Sequence, residues 1–75
     1  MPTWNVQLFA YLRERHGPVV AVESEPNVGA ILDALASSGI NTKACRLAVG
    51  DEFVGRNSAV ELGSDIALIP PVSGG

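Results

Sequence analysis

The chain has one cysteine, one histidine and one lysine among its 75 residues. A single cysteine closes no internal disulfide, so the domain must stand on packing alone, as cytosolic domains usually do. One His and one Cys also fall short of the four N/S ligands of a structural zinc site, and no metal is expected. Basic residues are scarce, with five Lys/Arg against eight Asp/Glu, a formal charge of −3 and a pI near 4.8. That balance argues against nucleic acid as a partner, because neutralising phosphates takes a clustered basic face. No apolar run approaches the roughly 18 residues of a membrane span, and no signal-peptide pattern opens the chain. Neither membrane association nor export is expected, and the cytoplasm is the expected location.

What remains is globular. Apolar residues make up 47% and charged residues 17%, too hydrophobic for a disordered segment. A domain of this size hides only about 60% of its unfolded surface, so its core is expected to be one thin layer. Residues 3–10 alternate, with Trp4, Val6, Leu8 and Ala10 on one face and Asn5, Gln7 and Phe9 on the other, which predicts a strand. A short helical turn over 11–15 ends at the breaker pair Gly17-Pro18. The β-branched run from Val19 to Val22 then predicts a second strand, paired with the first through this long connection.

Asn27 reads as a helix N-cap. Val28, Ile31, Leu32, Leu35 and Ala36 follow at i, i+3, i+4, i+7 and i+8, and Gly39 stands where a helix C′ glycine belongs. After the loop carrying Lys43, Cys45, Leu47 and Val49 share a strand phase. Gly50-Asp51 makes a turn, residues 52–55 return as a short strand, and residues 66–69 form a last strand that is apolar on both faces. Strand, strand, helix, then strands predicts an α+β domain of the β-grasp type. Four to five strands would form a mixed sheet packed on one main helix, with the first and last strands parallel at its centre. Residues 1–69 are expected to form this domain and residues 70–75 an extended, flexible tail.

The tail carries the chemistry. Pro70-Pro71 disfavours helix and holds the chain in polyproline II geometry, so residues 71–75 would reach roughly 15 Å past the last strand at about 3.3 Å per residue. Gly74 and Gly75 have no side chains, so a narrow channel in a partner would admit this backbone and act on the α-carboxylate. That group has a pKa of about 3.3–3.7 and is a poor acyl donor until activated, for instance as an acyl adenylate. A frayed terminus is the bland alternative. The stiffening Pro-Pro, the apolar strand before it and the diglycine, taken as the true end, favour a used tail.

The stretch Ala67-Leu68-Ile69-Pro70-Pro71-Val72-Ser73-Gly74-Gly75 resembles the C-terminus of the small, sulfur-carrier subunit of molybdopterin synthase. Leu8 to Glu14 followed by Gly17 resembles that family's first strand and turn, and Leu47-Ala48-Val49 with Glu52-Phe53-Val54 its middle hairpin. Relatives that carry sulfur for thiamin or cysteine synthesis share the diglycine. The resemblance implies a ubiquitin-like carrier that binds no cofactor and does no catalysis alone. A ubiquitin-activating-like adenylyltransferase would use ATP to adenylylate Gly75, and sulfur transfer would make the thiocarboxylate. The large synthase subunit, which holds the active site in an expected heterotetramer, would take the tail: Pro70, Pro71, Val72, Ser73 and Gly74 line up in its channel, and the Gly75 sulfur attacks a cyclic pyranopterin phosphate. Sulfur carriers for other pathways, including RNA thiolation, and a ubiquitin-like modifier of target lysines are the alternatives.

Docking needs an apolar surface near the tail. Phe9, Phe53 and Ile69 fall out of phase with the core set and are the candidate patch for both partners; ordinary core or scattered surface residues are the competing reading. Cys45, in phase with Leu47, is expected to be a buried inert thiol. The Gly50–Asn57 stretch resembles a phosphate loop only superficially, having Arg for Lys and Asn for Ser/Thr. His16 has no catalytic partner in sight, Arg13, Glu14 and Arg15 read as a solvated face, and Trp4 and Tyr11 as packing residues with polar tips at the surface.

Overall fold

Alternation in the first segment does become a strand, β1 (Thr3–Leu8), with Trp4, Val6 and Leu8 turned inward. In the computed structural model, which describes residues 1–71, six more elements follow: α1 (Ala10–His16), β2 (Val19–Glu23), α2 (Val28–Ser37), β3 (Arg46–Val49), β4 (Glu52–Val54) and β5 (Ile66–Ile69). The five strands make one mixed sheet in the order β2-β1-β5-β3-β4. At its centre β1 and β5 run parallel, with Val6 opposite Ile66 and Leu8 opposite Leu68, while every other pairing is antiparallel. This is the β-grasp arrangement.

One face of the sheet is closed by α2. Val28, Ile31, Leu32 and Leu35 bury against Leu8, Leu47, Ile66 and Leu68, and burying such side chains contributes about 1.5–3 kcal/mol each. Ala36 departs from the expected stripe and is exposed. It lies one turn beyond Leu32, on the flank of the stripe, and Leu32 is itself only just buried.

The first turn of α2 shows where its unsatisfied N–H groups go. The Ala30 N–H donates to Asn27 Oδ1 at 2.8 Å, as an N-cap requires. The Val28 and Gly29 N–H groups donate instead to the Ser58 and Arg56 carbonyls, at 3.0 and 2.9 Å. Gly29 eases that approach, because a Cβ there would stand 3.2 Å from the Arg56 carbonyl oxygen, closer than ordinary van der Waals contact. Asn27→Ala is expected to cost about 0.5–2 kcal/mol. The thermal midpoint should fall by about 4–8 °C per kcal/mol, read by circular dichroism. An unchanged midpoint would mean that the two carbonyls hold the turn without the cap.

Three further residues depart from the sequence reading. Ala10 does not extend the buried face of β1: it opens α1 with a positive φ of 54° and is exposed. Trp4 keeps no polar tip at the surface, since its indole N–H is buried and donates to the Ser24 carbonyl at 3.2 Å. Cys45 stands just before β3, not in it, because the Thr42–Cys45 turn delays the strand to Arg46. The β3–β4 connection is as expected a tight turn: Gly50 and Asp51 have φ of 55° and 70°, and two positive values define the hairpin turn that suits strand twist.

Candidate functional site

The sheet's second face is open, and it leads to the tail. Along β5, Ile66 and Leu68 point into the core, so Ala67 and Ile69 point outward. Register carries this outward row across the sheet: Gln7 lies opposite Ala67, Ala67 opposite Ala48, and Ala48 opposite Phe53. Phe53 is 54% exposed and Phe9 40%. Ile69 is half-buried and borders a shallow groove of about 270 Å³ with Phe9, Ala67 and Ala48. Phe9, Phe53 and Ile69 therefore lie on one uncovered face.

Arg46 joins this surface. It pairs with Ile69 in the β3–β5 ladder, and its guanidinium lies 4.3 Å from the centroid of the Phe53 ring. A cation over an aromatic face gains about 0.5–1 kcal/mol at an exposed site. It also leaves Phe53 an amphipathic neighbour that sequence reasoning had not placed here.

β5 delivers the tail from the middle of the sheet. Pro70 is buried and Pro71 exposed, so the chain leaves the body between them. Val72, Ser73, Gly74 and Gly75 lie outside the described residues. β5 is hydrogen-bonded on both sides, by β1 and by β3, which fixes where the tail starts and in which direction it leaves.

The other candidates are not part of this surface. Cys45 is half-buried, its thiol donates to the Asn41 carbonyl at 3.6 Å, and burial pushes the thiol pKa up, away from reactivity. Arg13, Glu14, Arg15 and His16 are exposed on α1, as is Tyr11. Among the described residues, no group of three or more His, Cys, Asp or Glu side chains is placed to hold a metal, and no helix is long and apolar enough to cross a membrane.

A β-grasp body whose central strand runs into a Pro-Pro-Val-Ser-Gly-Gly segment defines the class of ubiquitin-like carriers. The chain belongs to the ThiS family, whose profile matches residues 6–75. No curated protein matches it. Among solved structures it is similar to SAMP1 (small archaeal modifier protein 1) from Haloferax volcanii, at 29% identity and a TM-score of 0.73, covering 99% of this chain and 100% of that one. It is also similar to a chain in the Amycolatopsis orientalis BexX/CysO complex, at 26% identity and a TM-score of 0.66, covering 95% and 98%. The complex of subunits 1 and 2 of the molybdopterin-converting factor from Helicobacter pylori contains a chain with a TM-score of 0.71, covering 99% and 100%; at 22% identity that likeness concerns the fold alone. The chain is thus a ThiS-family domain of the sulfur-carrier or ubiquitin-like kind.

Proposed function

We propose that this chain is the sulfur-carrier subunit of molybdopterin synthase. The observation that carries the reading is the sequence Pro70-Pro71-Val72-Ser73-Gly74-Gly75 placed directly after the central strand β5. An adenylyltransferase joins the Gly75 carboxylate to AMP, releasing pyrophosphate. Sulfide, or a donor persulfide whose S–S bond a thiol then cleaves, displaces AMP and leaves a thiocarboxylate. The tail enters the large subunit, and the terminal sulfur attacks the cyclic pyranopterin phosphate; two such rounds make the dithiolene. A thiocarboxylate sulfur is a far better nucleophile than a carboxylate oxygen, and a thin tail brings it into a water-poor site.

The open face supplies the docking surface in this reading. Phe9, Phe53 and Ile69 bind the large subunit and the activating enzyme by turns, so the two compete. Phe53→Ser is expected to weaken binding to the large subunit about 30-fold, a loss of about 2 kcal/mol typical of an aromatic anchor, measured by titration calorimetry. An unchanged affinity removes Phe53 from the interface.

Likeness to the small archaeal modifier protein supports a second reading, in which the activated Gly75 is joined to lysines of target proteins. Reconstitution decides between them. Thiocarboxylated chain, a molybdopterin synthase large subunit and the pterin precursor should together yield dithiolene. Failure in that mixture, with heavier covalent adducts forming in cells, would favour the modifier.

A further inference from the structure

Four of the five Lys/Arg side chains are segregated at one end of the sheet, and neither the tail chemistry nor the apolar face requires this. Strand register defines the two ends. β5 finishes at Ile69, opposite Arg46, the first residue of β3, and beside the end of β1 from which α1 departs. That end holds Arg13 and Arg15 on α1, Lys43 in the turn before β3, and Arg46 itself. All four are exposed. Among the described residues the one ion pair is Arg56 with Asp33, at 3.2 Å on the helix side, so none of the four has a carboxylate partner there.

The acids lie elsewhere. Glu14 alone shares the tail end, on α1. Glu23 ends β2 at the opposite end of the sheet and Glu25 follows it, Asp51 and Glu52 sit at the β3–β4 turn, and Glu61 and Asp65 precede β5, Asp51 and Asp65 also lining the groove that Phe9 and Ile69 border. Strands β1, β2, β3 and β5, of four to six residues at about 3.3 Å per step, hold the two ends about 10–17 Å apart. That exceeds the Debye length of about 8 Å at physiological ionic strength, so the acidic end does not cancel the basic one. A chain of net charge −3 thus presents a positive collar around the root of its tail. Apart from the Arg46–Phe53 contact, gathering like charges at one end works against stability, since they repel.

We propose that this collar docks on an acidic rim around the tail channel of the adenylating partner and steers its association. Through Arg46, stacked on Phe53, the collar is continuous with the apolar face, so one approach engages both. The large subunit is the poorer fit. An acceptor of a phosphate-bearing substrate needs cations where the tail arrives, and these would repel the collar. An adenylating enzyme draws its nucleotide with Mg²⁺, which neutralises much of the phosphate charge and leaves the channel mouth free to be acidic. The inference rests on the adenylation of Gly75 proposed above.

The test is ATP–pyrophosphate exchange by a purified adenylyltransferase from the same organism, with carrier concentration and ionic strength varied. The variants are Arg13→Glu/Arg15→Glu, Lys43→Glu/Arg46→Glu and, as a far-end control, Glu23→Lys/Glu61→Lys. Each collar variant should raise the KM for the carrier by about tenfold or more, leave kcat within about twofold, and flatten the salt dependence. The control should change KM by less than about twofold. Should a reversal lower the thermal midpoint enough to impair folding, the Gln versions at the same positions replace it and carry the same expectation at a smaller fold-change. Collar variants with wild-type KM and salt slope overturn the proposal, as does a control that lowers KM as much as the collar variants raise it. Exchange by the wild type with unresponsive variants overturns the collar alone. No exchange by the wild type overturns the adenylation reading, and the collar with it.

Discussion

Deleting Gly75 is expected to abolish sulfur transfer while leaving the folded body as stable as before. The loss follows from reach. Removing one residue withdraws the reacting carboxylate by about 3.3–3.6 Å, and a misplacement of about 1 Å in a catalytic centre already costs about 10²-fold. Dithiolene formation should therefore fall by at least that factor at saturating large subunit. Stability should not change, because the described core runs from Trp4 to Leu68. A deletion that unfolded the protein would show that the tail has a structural role. A deletion that kept full transfer would end the carrier reading.

The second large effect falls on stability and spares the chemistry. Leu68 is fully buried on the central strand, opposite both Leu8 and Leu47. Leu68→Ala is expected to cost about 2–5 kcal/mol, against a total of about 5–15 kcal/mol for a typical domain. The thermal midpoint should fall by about 10 °C or more. Below that midpoint the variant should accept sulfur at the wild-type rate, since Gly75 and its activation are untouched. This pair of substitutions separates handle from reagent: one removes function without stability, the other stability without function.

Much of the fold was legible because the informative patterns are local. The spacing of Val28, Ile31, Leu32 and Leu35, with Asn27 before them, specified α2, and the polar cap bond at Asn27 is present. Alternation specified β1, and the apolar run 66–69 specified the last strand, β5. The misses have local physical causes that leave no periodic signature. Ala10 turns the chain with a positive φ, a conformation that costs a side-chain-bearing residue about 1–2 kcal/mol. Ala44, with φ 62°, precedes Cys45 and accompanies the late start of β3. Trp4 finds its hydrogen-bond partner twenty residues away at Ser24, beyond any window of sequence.

The candidate site divides in the same way. Its tail is a contiguous motif and can be read directly. Phe9, Phe53 and Ile69 could be placed out of phase with the core, but only the register of β5 with β1 and β3 shows them on one face. The basic collar was invisible for the same reason: Arg13 and Arg15 are far in sequence from Lys43 and Arg46, and the two pairs share one end of the sheet only because β1 and β5 are parallel and β3 runs back against β5. Arg13 and Arg15, read singly, are indeed a solvated face. Read together with Lys43 and Arg46, they share the end of the sheet at which the chain leaves the body.

The most direct measurement is the intact mass of the full chain after incubation with ATP, the adenylyltransferase and a sulfur source, followed by mapping of the C-terminal peptide. The expected product has one oxygen replaced by one sulfur, located on Gly75, and reverts to the carboxylate once the acceptor is supplied. A chain that keeps its carboxylate under these conditions, or that gains a whole sulfur atom at Cys45 instead, would contradict it.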